Sequence, residues 1–389
     1  MKKEGRSLNK DLRIFQRRHI SARSGWRGAG TGSKVLCILL VLVSIVLSVI
    51  GCAVVYSAVG SALFYRQFAV LMSFIPMCFV VLLLCPKFVY GFVYRTSPVI
   101  YLLALCLLCI AHFIGYSAMG AQRWIHYGAV NFQPSELMKL AMILYLSYIF
   151  DKMKEHEIGD VLCVIKPVLV VMIPFIFVLK QPNLGTALLI LFVAGVIFFV
   201  AGVKKWKFIT VILLVVIIFP LIWQYALYDY QKKRVVTFLN PESDVLGAGY
   251  NIAQSKIAIG SGLLYGKGFA RGSQAKLNFL PEKHTDFVFA MIAEEFGFVV
   301  VCTVLSLYVG LIIICYVIAA RAKTSYGATS AAGIASMLFG QIFVNISMIS
   351  GLMPVVGIAL PFLSYGGSNL LVLLLAMSHL LSVEMNNNS

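Results

Sequence analysis

The chain has 389 residues, 60% of them hydrophobic and 12% charged, with a formal charge of +17. Apolar runs of about 18 residues or more recur along it, each long enough to cross ~30 Å of hydrocarbon, so a soluble domain is excluded. A nucleic-acid binder is excluded too: ten Lys and Arg fall in the first 34 residues with no aromatic-interleaved groove beside them, the pattern of a cytoplasmic arm drawn to anionic membrane lipids.

In chain order, residues 1–34 form this basic arm. The first apolar run, Val35 to Ala58, is too long for a cleaved signal and reads as a signal anchor. Ten helical spans are expected, at 35–57, 68–85, 97–116, 135–151, 162–180, 184–203, 208–227, 286–319, 326–350 and 367–384, within one membrane domain over 35–384 and before a short cytoplasmic tail, 385–389. The fourth is short and carries Glu136 and Lys139 in its first turn. Lys180-Gln181-Pro182-Asn183-Leu184-Gly185 is a tight turn between the fifth and sixth, with Pro and Gly as breakers. The eighth is longer than a bilayer requires and should tilt or project. Inside the long connection 228–285, Tyr250 to Gly260 is amphipathic and predicts a short interfacial helix followed by glycine-rich turns. Gly266-Lys267-Gly268 within those turns lacks the spacing and context of a nucleotide loop.

Lys and Arg set the orientation. With the arm inside, Lys87 and Arg95, Lys152 and Lys154, Lys204, Lys205 and Lys207, and Arg321 and Lys323 all fall inside, while the short outer connections hold only Arg66, Arg123 and Lys180. Both termini are then cytoplasmic. The 228–285 loop carries eight basic residues but is long enough to cross regardless of charge. The nine cysteines lie in apolar runs and read as small buried hydrophobes, the Cys106–Cys109 pair included.

Four segments are polar where the pattern is otherwise apolar, and all fall on the outer half. They are 120–139, with Arg123, Trp124, Gln133, Glu136 and Lys139; 180–186; 280–286, with Glu282, His284 and Asp286; and 354–368, with Ser364 and Tyr365. Irregular backbone at membrane depth is tolerated only where it is buried in protein or lines a cavity, so one outward-facing polar cavity is expected. Ionisable groups at a bilayer are costly and default to function, which singles out Asp286. Bland readings stand beside the sharp ones: Arg123 as a snorkelling side chain, Trp124 as a belt aromatic, Glu136 and Lys139 as a local ion pair, His284 as a supporting partner. Glu294 and Glu295 read as partners of neighbouring helices. No histidine spacing suggests a metal site.

Together the segments GAQRW (120–124), FQPSE (132–136), QPNLGT (181–186), FLPEKHTDFVFAMIAEEFG (279–297) and LPFLSYGGS (360–368) resemble the SEDS family (shape, elongation, division and sporulation), over nearly the whole chain after the arm. Ser273-Gln274 followed by FLPEKHTD is closer to its RodA branch than to its FtsW branch. The resemblance implies ten membrane helices and a peptidoglycan glycosyltransferase of the bacterial inner membrane. Such an enzyme polymerises lipid II, a polyprenyl-diphosphate-linked glycan, for elongation and shape, beside a class B penicillin-binding protein that crosslinks the product. The family's essential acid matches Asp286 and its sensitive tryptophan matches Trp124. Two positions depart from the pattern: Asn183 stands where the family usually has Asp, and Ala359 where it commonly has Pro. On this reading Asp286 is the general base of an inverting displacement. The leaving diphosphate needs cations: Arg123 and Lys139 first, Lys267 and Arg271 behind them. A divalent ion, magnesium or manganese, would serve the same end, but no cage of oxygen ligands is legible, so no cofactor is assigned. The rival readings are a lipid II flippase and a non-catalytic scaffold for the crosslinking enzyme.

Overall fold

The computed structural model describes residues 29–59, 64–73, 86–118, 121–127, 130–158, 160–221, 223–224, 229–240, 247–276 and 284–387. The basic arm up to residue 28, most of the expected span 68–85, and Glu282 lie outside these residues. The helices are α1 (Ala29–Val59), α2 (64–73), α3 (Pro86–Ile114), α4 (Pro134–Lys152), α5 (Glu155–Ile158), α6 (Val161–Lys180), α7 (Leu184–Ala201) and α8 (Lys205–Leu221). They continue with α9 (Asp229–Leu239), α10 (Ala248–Ser261), α11 (Ser273–Lys276), α12 (Val288–Arg321), α13 (Ser325–Ile349) and α14 (Gly367–Asn386). Helix α1 begins six residues before the apolar run predicts, taking in the end of the arm.

Among the described residues seven helices, α1, α3, α6, α7, α12, α13 and α14, are long and apolar enough to cross a membrane. The other three of the ten expected spans fall on α2, α4 and α8. Helix α2 is described only in part, α8 has 17 residues, and α4 has only 19 and carries Glu136, Lys139, Asp151 and Lys152. A small antiparallel sheet, β1 (Tyr116–Ala118), β2 (Ala121–Tyr127) and β3 (Val130–Phe132), fills the connection between α3 and α4. The sequence pattern had not indicated it: β1 and β3, with three residues each, are too short for a period-2 signal, and β2 (AQRWIHY) does not alternate apolar with polar.

Helices α13 and α14 form the centre. In their apolar stretches 78% and 83% of residues are buried, against 28% in α3 and α12, whose free faces are left for lipid. Small residues make this possible, since close approach replaces the missing hydrophobic drive between helices in lipid. A Cβ on Gly333 of α13 would stand 2.7 Å from Ile143 of α4 and 2.9 Å from Ile197 of α7.

The helix ends sort by chemistry. At one end Glu384, fully buried, accepts from Ser33 and sits 3.4 Å from Arg321 Nη2. Nearby Asp151 accepts from Tyr94 OH (3.1 Å) and from the Tyr326 amide at the start of α13 (3.0 Å). This ties the start of α1 to the ends of α12 and α14, and the end of α4 to the start of α13. The four polar segments lie at the opposite end.

Helix α12 is not one rod. Gly297 has φ 75° and ψ −173°, which breaks the ladder. The turns after α10 repair the break: Lys267 N and Gly268 N donate to the carbonyls of Glu294 and Glu295 (both 2.9 Å), and Phe298 N and Val299 N donate to Leu263 O and Leu264 O (2.9 and 3.2 Å). The excess length foreseen for this span is therefore taken up by a bend. Gly297→Ala should lower the thermal midpoint of the purified protein in detergent by several degrees. Its Cβ would run into Gly266 N and stand 2.6 Å from Leu264 O, and a backbone at φ 75°, ψ −173°, which is adopted almost only by glycine, adds about 1–3 kcal/mol of strain. An unchanged midpoint would show that the bend is not fixed by this residue.

Candidate functional site

The site is built around the irregular stretch 354–366. Pro354, Gly357, Pro361 and Gly366 keep it from forming helix. Ser364 closes it on itself: its amide donates to Leu360 O (3.0 Å) while its Oγ accepts from Leu360 N (2.8 Å). Tyr308 OH of α12 donates to Pro361 O at 2.5 Å, and the buried Phe362 is held at φ 65°. Such a conformation persists only where its surroundings over-determine it.

This stretch gathers the other three segments. The Ser364 hydroxyl reaches Thr285 O (2.5 Å), Tyr365 N donates to His284 O (2.8 Å), and the His284 and Tyr365 rings lie 5.9 Å apart. Asn345, fully buried in α13, donates through one Nδ2 to both Asp286 O (2.9 Å) and Ile358 O (2.7 Å). Asp286 itself is half-buried, two residues before α12. A Cβ on Gly357 would come within 3.3 Å of its Oδ2, and Gly357 sits at φ 70°, so the carboxylate rests against a position where a side chain would be strained and crowding. The turn 181–186 packs here as well, since a Cβ on Gly185 would stand 2.9 Å from Val356 Cβ. Asn183 caps α7, its side chain accepting from Thr186 N at 3.3 Å, a task that Asn and Asp perform alike.

The 120–139 segment joins through Ser368. Its Oγ accepts from Gln133 N (3.1 Å) and donates to Asn131 O (2.9 Å). Trp124 is half-buried in β2, paired in register with Tyr116. Arg123 lies in the same strand, and its side chain is outside the described residues. Lys139 and Glu136 form an ion pair of 2.9 Å with Lys139 only 2% exposed, so the local-pair reading of their spacing is realised inside the bundle.

Lys267 and Arg271 stand apart from this group. Lys267 Nζ pairs with the fully buried Glu294 at 2.7 Å, and the same Glu294 Oε1 accepts from Ser273 N and Oγ (both 2.8 Å). Glu294 thus pins the segment 267–274 to the bend of α12, and Ser57 donates to its neighbour Glu295 at 2.5 Å. Arg271 is exposed beside them. Asn345, Ser368 and Gly357 had not been singled out. A lone amide within the apolar run 326–350 was the available signal for Asn345, since polar groups inside a membrane helix are seldom idle. Among the described residues no three His, Cys, Asp or Glu side chains come together to hold a metal ion, so these residues make no protein cage for magnesium or manganese.

Chemically, the arrangement offers the Asp286 carboxylate, beside Gly357 and on a backbone held by Asn345, at the polar end of the bundle where Glu136 is already paired with Lys139. That fits a single base acting on a substrate delivered from the membrane.

Comparison with known proteins agrees with this picture. The FtsW/RodA/SpoVE family model, described as cell cycle protein, matches residues 33–389. The peptidoglycan glycosyltransferase MrdB of Escherichia coli (strain K12) is 43% identical over 295 residues, 74% of this chain and 77% of that one. The probable peptidoglycan glycosyltransferase FtsW of Geobacter metallireducens is 38% identical over 284 residues, 72% and 74%. Among solved structures, a chain from a peptidoglycan synthase complex studied for its coordination of polymerization and crosslinking superposes with a TM-score of 0.76 at 28% identity, covering 90% of this chain and 97% of that one. The rod shape determining protein RodA of Thermus thermophilus superposes at 0.65, with the same identity and coverage.

Asn345→Leu should destabilise the protein by about 2 kcal/mol or more, because two carbonyls lose their shared donor in an apolar setting. Thermal unfolding in detergent measures this. A variant as stable as the wild type would show that water or another group replaces the amide.

Proposed function

The chain belongs to the FtsW/RodA/SpoVE family of cell cycle proteins, and on that footing we propose that it is a peptidoglycan glycosyltransferase that polymerises lipid II with Asp286 as general base. The enzyme class rests on relatives of that name at 43% and 38% identity. The role of Asp286 rests on one observation: its backbone is held by Asn345 and its carboxylate lies against Gly357, at the point where all four polar segments meet.

In this mechanism the carboxylate takes the proton of the acceptor sugar 4-hydroxyl as that oxygen attacks the anomeric carbon of the donor. The polyprenyl diphosphate leaves from the opposite face, so the α-linked donor gives a β-linked product and one base suffices. Charge accumulates on the leaving diphosphate and must be met by donors or cations, with Arg123 and Lys139 nearest along the chain to the Ser368 junction. The polar segments gather at one end of the bundle, while at the other end Glu384, Arg321 and Asp151 are taken up in contacts between helix ends. That favours chemistry on one leaflet over transport through both, and so disfavours the flippase.

The protein is a multi-pass membrane protein. Its placement in the inner membrane is what the family resemblance implies, and the Lys and Arg bias supports a polar end facing outward and both termini in the cytoplasm. The structural neighbour in a complex that couples polymerization to crosslinking supports a class B penicillin-binding protein as partner here.

Two experiments test this reading. Single cysteines at positions 286, 124 and 366, in a cysteine-free background, should be labelled by an impermeant maleimide from the outer side. Labelling of position 286 only from the cytoplasm would end the model. On purified lipid II, with the partner's transpeptidase blocked, Asp286→Asn should keep the fold and lipid II binding while losing about 100-fold or more of polymerisation, the usual share of a positioned base. Near-wild-type glycan from the Asn variant would remove Asp286 from the chemistry, and a wild type that only moved lipid II across liposomes would restore the flippase.

A further inference from the structure

Two helices begin side by side next to the Asp286 turn, and neither has a side-chain cap. Helix α14 starts after Gly366 with no acidic residue in its first turn. Helix α4 starts after Gln133, with Pro134 at its first position. Ser368 bridges them through Gln133 N and Asn131 O. Each helix N-terminus carries roughly half a positive charge and amides in need of acceptors. The acid in the first turn of α4, Glu136, has its charge met by Lys139 at 2.9 Å, so the junction stays positive.

A second, independent observation lies in α2. Gln67 is 1% exposed, and among the described residues neither its Nε2 nor its Oε1 has a hydrogen-bond partner. An amide buried in this way costs stability unless something binds it. Its position off the end of α14 follows from the helix directions. The start of α1 meets the end of α14 through Ser33 and Glu384, so α1 ends and α2 begins at the site end, and α2 and α14 both run away from it. Val70 of α2 is level with the first residue of α14: its Cγ2 lies 3.9 Å from a Cβ placed on Gly367. Gln67 is one turn earlier on the same inward face, which places it beyond the N-terminus of α14 rather than alongside the helix. In the first turn of α14, Asn369 Oδ1, also buried, lacks a partner too.

We propose that the paired N-termini of α4 and α14, with Gln67 Nε2 as a further donor, form the subsite that holds the diphosphate of the polyprenyl-linked glycan. The assignment of this anion rests on the glycosyltransferase reading. The chemistry at the site is that of phosphate recognition by helix N-termini and a neutral amide. Neutral donors suit a group that must leave after each cycle, since they bind the diphosphate without the full attraction of a fixed cation. The subsite also shares its frame with the base, because Tyr365 N, bonded to His284 O at 2.8 Å, is two residues from Gly367. A donor sugar whose reacting carbon is one bond from the diphosphate needs both within a few ångströms of each other.

The test uses the full chain in nanodiscs of uncharged lipid and a fluorescent polyprenyl diphosphate that carries no sugar. Gln67→Met keeps the size of the side chain and removes its polar atoms. It should raise the thermal midpoint, because an unpartnered buried amide is gone, and weaken probe binding about tenfold or more. Gln67→Glu, which places a negative charge beside the anion, should abolish binding. A Met variant with a lower midpoint and unchanged binding would make Gln67 a structural residue and overturn the proposal. Unlabelled polyprenyl diphosphate should displace the probe and polyprenol should not. Displacement by phosphatidylglycerol at the same concentration would assign the site to bulk anionic lipid and sink the substrate assignment. Binding is read here without catalysis. A wild type that makes glycan while the Met variant binds normally removes the subsite alone, whereas a wild type that binds the probe and makes no glycan removes the glycosyltransferase reading and keeps the anion site.

Discussion

Everything at the polar end depends on one requirement: the backbone of 354–366 is irregular, lies among apolar helices, and must have its N–H and C=O groups satisfied by protein. The solution is a set of reciprocal debts between loops. Asn345 serves Ile358 and Asp286 with one amide group, Ser364 serves Leu360 and Thr285 with one hydroxyl, and Tyr365 serves His284 with its own backbone. None of these groups is chemically reactive. Together they hold the backbone that carries Asp286, so the placement that its proposed role as base requires rests on main-chain bonding and a glycine contact. A carboxylate oriented by its neighbours' backbone needs no reorganisation at the moment of reaction.

The two ends of the bundle use polar groups for opposite ends. At the Glu384 end, acids, hydroxyls and an arginine close on one another and on helix termini, as with Asp151 at the first amides of α13. At the Asp286 end, the starts of α4, α12 and α14 have no side-chain cap, while Asn183 caps α7. A structure that only needed stability would cap both ends, since a cap contributes about 1 kcal/mol. The asymmetry separates an end where polar groups close on one another from an end where helix starts stay open, within one continuous core.

Much of this was legible in the sequence because apolar length and breaker residues are local properties. The spans 97–116, 162–180, 184–203 and 367–384 follow from runs of Leu, Val, Ile and Phe, and the turn at Pro182 from its proline and glycine. The helix over Ala248–Ser261 follows from the amphipathic stretch 250–260. Asp286, His284, Ser364 and Tyr365 stood out as polar residues in apolar surroundings, and the structure brings them together. What escaped depends on partners far along the chain. The bend at Gly297 is set by amides about 30 residues away, and Glu294 finds Lys267 across the same gap. Asn345 looks idle until the loop it bonds is in place. The short strands at 116–132 carry no usable periodicity. Lys267 had been grouped with the cations of the site, and the ion pair that occupies it is invisible without the bend.

That bend also constrains how the protein is made. The amides of Lys267 and Gly268 and the carbonyls of Leu263 and Leu264 leave the ribosome before residues 294–299, the groups that satisfy them. Until α12 has entered the bilayer these four backbone groups have water as their only partner, so their loop must wait in an aqueous compartment. The N-terminal arm of α12 is in the same position, because its open carbonyls at Glu294 and Glu295 are not tolerated in hydrocarbon. Insertion of α12 and docking of the loop are therefore coupled events in biogenesis. Gly297 and the Lys267–Glu294 pair hold the two together: without them the bend would leave unsatisfied backbone groups at membrane depth.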